Sequence, residues 1–180
     1  MACGETPTSY AVVDIETTGR RAVRSRVIEI GVVVLDAERL VTTEWETLIN
    51  PGGPVGPARI HGIDASMVSV APTFGALLPE LMSVLDGRVL VAHNAPFDRS
   101  FLDHEMRRCG VRLMGGAICT RALAGRAGLP TDLAGCARSL GIESHEPHRA
   151  IADARVAAAV FAELAPLDEA RAVRPLEYWR

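Results

Sequence analysis

Residues 10–35 read YAVVDIETTGRRAVRSRVIEIGVVVL, and the order of parts within this stretch decides the fold. Residues 10–15 are a short apolar run ending in acid, and Thr17-Thr18-Gly19 follows as a turn. Beyond Arg20, Arg21, Arg24 and Arg26, residues 27–35 are nearly all apolar and rich in Val and Ile, the pattern of a strand buried on both faces. Residues 40–49 alternate more loosely and supply a third strand, so the chain opens as a meander. Side chains alternate along a strand, which puts Asp14 and Glu16 on one face at the strand's C-terminal end. Ligands of open α/β sheets bind at such ends. Two carboxylates this close repel, and their ionised forms favour a cation between them; Mg²⁺ and Mn²⁺ prefer such oxygen ligands. A lone Asp-x-Glu is nonetheless more often a solvated strand end.

Outward from this stretch, residues 50–57 are dense in Gly and Pro and form a loop. Phe74, Leu77, Leu78, Leu81, Met82 and Leu85 then recur at steps of three and four, which predicts a helix with Pro79 awkwardly inside it. Residues 89–92 are a short buried strand. Asn94 is placed to cap the next helix, with Pro96 in its first turn and an end near Cys109. Residues 117–119 make a fifth strand, followed by helical pieces at 121–127 and 132–140, the latter closed by Gly141. The Ala-rich segment 149–164 is a helix with Ile151, Val156, Val160 and Leu164 available for the core, and Pro166 ends it. The result is one α/β domain over residues 9–165: a mixed five-stranded sheet with an antiparallel three-strand meander, flanked by helices. Residues 1–8 are expected to be a disordered N-terminus and residues 166–180 a tail or linker.

Composition narrows the class. A chain of 180 residues supports one sizeable core. No apolar run is long enough to cross a bilayer, and Met1 to Ser9 lack the basic flank and apolar core of a secretion signal; the expected compartment is the cytoplasm, with no membrane partner. Cys3, Cys109, Cys119 and Cys136 are widely spaced without a Cys-x-x-Cys pair, against a zinc site or a disulfide framework. The formal charge of −3 does not itself suggest nucleic acid. The chain contains no Lys, so any basic contact to phosphate must come from Arg, whose planar fork holds two oxygens at once.

Two further carboxylates change the reading of Asp14 and Glu16. Asp98 falls in the first turn of the helix after residues 89–92, where an acid is already favourable. Asp153 lies near the start of the last helix, with His148 five residues before it at the loop-to-helix junction. Taken singly, Asp153 is an acid on a wet helix face and His148 a surface residue; their order and context give the set its meaning.

Three segments, Asp14-Ile15-Glu16-Thr17-Thr18-Gly19, His93-Asn94-Ala95-Pro96-Phe97-Asp98 and His148-Arg149-Ala150-Ile151-Ala152-Asp153, resemble the motifs of the DnaQ-like DEDDh 3′→5′ exonucleases. That family includes the proofreading ε subunit of bacterial DNA polymerase III. The resemblance runs from about Ser9 to Leu164 and takes in Arg26-Val27-Ile28-Glu29-Ile30-Gly31 and His61-Gly62-Ile63. It implies a ribonuclease-H-like fold. It further implies that Asp14, Glu16, Asp98 and Asp153 hold two divalent cations, Mg²⁺ or Mn²⁺, while His148 takes a proton from the attacking water. The implied substrate is a single-stranded DNA 3′ end, and the product is 5′-nucleoside monophosphate.

His145 rivals His148, but the family spacing favours His148. A gap of five residues to the Asp separates this branch from one with Tyr four residues before it; here that position is Arg149. By the same resemblance, Thr17, Thr18 and Gly19 meet the terminal nucleotide, His61 lies beside it, and Asn94 and Phe97 line the cleft. The ordinary roles beside these are turn chemistry for the threonines, a cap for Asn94 and a core position for Phe97. Glu29 interrupts an apolar strand and needs a partner. Arg20, Arg21, Arg24 and Arg26 are either a phosphate-contacting edge or a solvated loop.

Two alternatives stand: an RNA-directed 3′→5′ exonuclease of the same family, and an inactive domain serving as a nucleic-acid-binding or interaction module. The Thr-Thr-Gly turn is more similar to the DNA-directed branch, and no carboxylate is lost. Leu176, Tyr178 and Trp179, read as exposed on the tail, leave open a polymerase subunit as partner, a homodimer, or a further domain.

Overall fold

The computed structural model describes residues 9–143, 148–165 and 175–179. The expectations for residues 1–8, for His145 and for most of the tail lie outside the described residues. In chain order the elements are β1 (Tyr10–Thr17), β2 (Val27–Leu35), β3 (Val41–Leu48), α1 (Ala58–His61), α2 (Ala65–Ser69), α3 (Phe74–Leu85) and β4 (Val89–Ala92). They continue with α4 (Ala95–Arg108), β5 (Arg112–Met114), β6 (Ala117–Cys119), α5 (Thr120–Arg126), α6 (Leu133–Ser139), α7 (Ala150–Leu164) and β7 (Glu177–Trp179).

The main sheet has five strands in the order β3-β2-β1-β4-β6. β1, β2 and β3 pair antiparallel as the expected meander, while β4 and β6 add parallel on the other side of β1. β1 is therefore where antiparallel pairing gives way to parallel pairing. Its pairing with β4 runs only from Tyr10–Val89 to Val12–Val91. The half of β1 that carries Asp14 and Glu16 thus extends beyond β4, beside the chain that turns into α4.

Each face of the sheet is covered by helices, and residue parity assigns the faces. Ala11, Val13 and Ile15 pack with α3 and α4 through Phe74, Leu81, Phe101 and Leu102. Tyr10 and Val12 face the other way, onto Ile151, Ala154, Ala158 and Phe161 of α7. The even positions continue as Asp14 and Glu16, so these acids lie on the α7 face.

The sequence reading and the structure part company in a few places. The loop at residues 50–57 leads into two helices, α1 and α2, that are too short to show a helical period. α3, by contrast, runs through Pro79 as one element, as its spacing predicted. Asn94 occupies the N-cap position of α4, but its side chain makes no capping bond. Leu176 is fully buried against the α3–α4 side of the core rather than exposed, and β7 pairs antiparallel with β5. The apolar alternation Leu176, Tyr178 spans too few residues to stand out in a polar segment. Among the described residues no helix is long and apolar enough to cross a membrane.

Candidate active site

β1 presents the first two acids, and β2 determines what can approach them. In the antiparallel register Asp14 lies opposite Gly31 and Glu16 opposite Glu29, so all four positions share the α7 face. A Cβ at Gly31 would overlap the backbone of Ala150 and Ile151. The missing side chain is what lets the first turn of α7 sit directly on the sheet beside Asp14.

α4 delivers Asp98. Because β4 ends at Ala92 and α4 begins at Ala95, the first turn of α4 lies over the open half of β1. Asp98 is buried there, and so is Glu105, two turns further along the same side. Glu105 takes a forked ion pair from Arg26, Nε to Oε1 at 2.7 Å and Nη2 to Oε2 at 3.0 Å, and accepts from the Val27 amide at 3.2 Å. Arg26 also donates to the Pro51 carbonyl. It is thereby spent on holding α4 to the start of β2, which removes it from the expected phosphate-contacting edge. Arg20, Arg21 and Arg24 remain exposed.

α7 delivers Asp153. Glu29, whose partner was missing at the sequence level, accepts from Arg149 Nε at 2.9 Å with one oxygen and from the Ala150 amide at 3.0 Å with the other. Just before the helix, His148 has a left-handed backbone (φ 67°), uncommon for a residue with a side chain. Its amide donates to Asp153 Oδ2 at 3.2 Å. Ligand atoms of Glu16, His148 and Asp153 all lie within 4.8 Å of one another.

The electrostatics tie Asp14 and Asp98 to that group. Burial, then the charges of Asp98, Asp153, Glu16 and Glu29, push the Asp14 carboxyl well above its usual range. Burial, then Asp153, Glu29 and Asp98, push Glu16 up to about 8. Burial raises Asp98 to about 7, against a backbone hydrogen bond that lowers it. Burial also raises Asp153, opposed by the His148 amide and ring. Carboxylates crowded and dehydrated to this degree favour either protons or a multivalent cation. Hard oxygen donors with one imidazole fit Mg²⁺ or Mn²⁺.

The neighbouring residues are largely occupied. The Thr17 hydroxyl donates to the Gly19 carbonyl at 2.7 Å, and Thr18 Oγ1 accepts from the Arg26 amide at 2.9 Å, so both side chains serve the turn. Gly56, at φ 80°, lies against the Thr18 backbone, where a Cβ would clash. Asn94 is exposed; Phe97 is half-buried with its ring 4.8 Å from that of Phe101. His61 is buried, its Nδ1 accepting from the Ile63 amide at 3.0 Å, while Nε2 has no partner among the described residues. Burial lowers its pKa. Not singled out at the sequence level is His93, buried between Thr120 Oγ1 at 2.9 Å and the Thr131 carbonyl at 3.1 Å, which ties the end of β4 to the α5 and α6 region.

An acid-lined recess at the carboxyl end of a strand in a mixed sheet is suited to metal-assisted hydrolysis, a class that includes nucleases. Residues 11–161 match the RNase_T exonuclease family, and the chain belongs to that family. It is 39% identical over 163 residues to a putative bifunctional exonuclease/endonuclease protein of Mycobacterium tuberculosis, covering 82% of this chain and 25% of that one. It is 34% identical to the PolC-type DNA polymerase III of Caldanaerobacter subterraneus, over 86% of this chain but 11% of that protein. The DNA polymerase III subunit epsilon of Pasteurella multocida is 31% identical, with 86% and 67% covered. The chain therefore spans a quarter or less of the length of the first two relatives. Among solved structures, exonuclease X in complex with 5′ overhanging duplex DNA superposes with a TM-score of 0.71 at 25% identity, over 86% of this chain and 90% of that one. The fold is thus the ribonuclease-H-like one expected.

Proposed function

We propose that the chain is a 3′→5′ exonuclease that removes 5′-nucleoside monophosphates from single-stranded DNA ends, with Asp14, Glu16, Asp98 and Asp153 holding two Mg²⁺ or Mn²⁺ ions. The observation that carries this reading is the meeting of β1, α4 and α7 at one recess, which gathers four carboxylates and His148 from distant parts of the chain. When bound, the two cations supply a water of lowered pKa and stabilise charge on the leaving oxygen. The chain's own side chains do the rest. Asp14 and Glu16 fix the floor of the recess, and Asp98 and Asp153 close it from the two helices. A ring nitrogen of His148 accepts the proton of the attacking water as its oxygen bonds to phosphorus and the bond to the 3′ oxygen breaks. The backbone of the Thr17-Thr18-Gly19 turn, with His61, Asn94 and Phe97 nearby, receives the terminal nucleotide. Support for DNA comes from the polymerase III relatives and from the DNA-bound exonuclease X. The epsilon relative also supports a polymerase subunit as a partner.

The test is mononucleotide release from matched 3′-hydroxyl DNA and RNA oligonucleotides with and without Mn²⁺. Chelation and Asp14→Ala should each abolish release. His148→Ala should lose roughly 10²–10⁴-fold in kcat while still binding Mn²⁺. Robust turnover by Asp14→Ala would remove the site assignment, and faster digestion of RNA would replace the substrate.

A further inference from the structure

Glu29 is a carboxylate within electrostatic reach of Asp14 and Glu16, yet it is not one of the expected ligands. It is 1% exposed in a strand whose other residues are apolar or Gly. Such a group is tolerated only when its charge is paired and its oxygens are satisfied. Its two oxygens are both taken, Oε1 by Arg149 and Oε2 by the Ala150 amide, which leaves Glu29 badly placed to bind an ion itself.

What those two residues do is set the entry to α7. Ala150 N–H is one of the first amides of the helix, which have no acceptor within it. Arg149 occupies the N-cap position and offers no side-chain cap. A carboxylate reaching across from β2 takes that place, where negative charge is also favoured by the helix dipole. The clamp is bracketed by the residues that matter. His148 immediately precedes Arg149, and the Asp153 amide makes its helical bond to the Arg149 carbonyl at 3.0 Å. The His148 amide in turn meets the Asp153 carboxylate. Fixing Arg149 and Ala150 therefore anchors the chain beside both, next to a left-handed His148 backbone that is uncommon for a non-glycine residue.

We infer that Glu29 is a positioning residue: through Arg149 and the Ala150 amide it sets the separation and orientation of His148 and Asp153. Glu29 has this role only if those residues form the metal and proton site proposed above. Glu29→Gln keeps the size of the side chain but offers one acceptor where two donors converge. In the full chain, calorimetric titration with Mn²⁺ alone should show affinity weakened roughly 10–100-fold in Glu29→Gln. kcat on a DNA oligonucleotide should fall by a comparable factor while KM stays near wild type, and Glu29→Asp should recover part of both. Arg149→Ala, which retains the Ala150 bond, should shift Mn²⁺ affinity in the same direction by less, and it serves if Glu29→Gln does not fold. A Gln variant that melts earlier but binds Mn²⁺ as wild type does would overturn the inference. A wild-type chain that binds Mn²⁺ and releases no nucleotide would remove the exonuclease reading alone, since the Mn²⁺ titration of the variant still decides the role of Glu29.

Discussion

Helices α4 and α7 each bring one carboxylate to the end of β1, and each is tied to β2 by an Arg–Glu pair, but the pairs run in opposite senses. Toward α4 the strand side gives the cation, Arg26, and the helix gives the buried anion, Glu105. Toward α7 the strand gives the buried anion, Glu29, and the helix end gives the cation, Arg149. Their positions relative to the site differ too. Glu105 grips α4 two turns beyond Asp98, so it fixes where the helix lies on the sheet. The Glu29 bonds fall within one turn of Asp153 and beside His148, so they fix the site itself. The α4 pair is therefore chiefly a packing device and the α7 pair chiefly a device for geometry.

Removing the carboxylates should abolish the distinction. Asp98→Ala and Asp153→Ala are each expected to lower kcat roughly 10³-fold or more, since charge stabilisation by bound cations contributes several kcal/mol. Single-turnover assays would reveal an inequality if one helix contributed less. Next in size is the crossed comparison. Glu105→Gln should destabilise the fold by about 3 kcal/mol, the lower end for breaking a buried pair because Arg26 still reaches water, with kcat near wild type. Urea unfolding and turnover measured side by side should show Glu29→Gln losing comparable stability, since its carboxylate is equally buried, but losing kcat as well. If both variants lost activity in proportion to stability, the two clamps would be equivalent.

The metal-free protein offers a smaller effect with a definite sign. Glu16 and Asp98 are raised to about 8 and about 7, and Asp14 and Asp153 are raised as well, so the folded chain holds protons that the unfolded chain releases. Below the ordinary carboxylate range both states are protonated and these groups contribute no difference. Stability should therefore be lost as pH rises from about 4 through about 8. Thermal melts should show Tm of the metal-free chain falling across that window and Mn²⁺ raising Tm more at pH 8.5 than at pH 5. A flat profile would mean the acids are less crowded than described. Smallest is the effect of the exposed arginines beside Arg26. Neutralising Arg20, Arg21 and Arg24 together should reduce the salt slope of single-strand affinity by at most about 2, and an unchanged slope would leave them a solvated loop.

Much of this was legible in the sequence. The meander strands, the long helices and the face shared by Asp14 and Glu16 follow from local pattern, the short strands β4 and β6 were read from apolar runs between helices, and the motif order pointed to Asp98, His148 and Asp153. The clamps were not legible, because ion pairs spanning 79 and 120 residues, from the start of β2 to α4 and from β2 to the start of α7, leave no local pattern. Glu29 showed as an acid without a partner, but its partners could not be named. Gly31 carried a readable signal, a glycine within a run of β-branched residues, which marks a close backbone approach. α1, α2, β5 and β7 were missed because three to five residues do not establish a period. Leu176 was misread because an apolar residue in a polar segment gives no sign of what will cover it.

The seating of α7 on Gly31 also bears on when the protein acquires its chemistry. β1 and β2 are neighbours in sequence and can pair early, whereas α7 must close a loop of more than a hundred residues before it reaches them. Until the last helix docks, Asp14 and Glu16 have neither Asp153 nor His148 beside them. A collapsed chain in which α7 has not yet docked thus carries the acids of β1 without the rest of the proposed site, and on that proposal it has no hydrolytic activity.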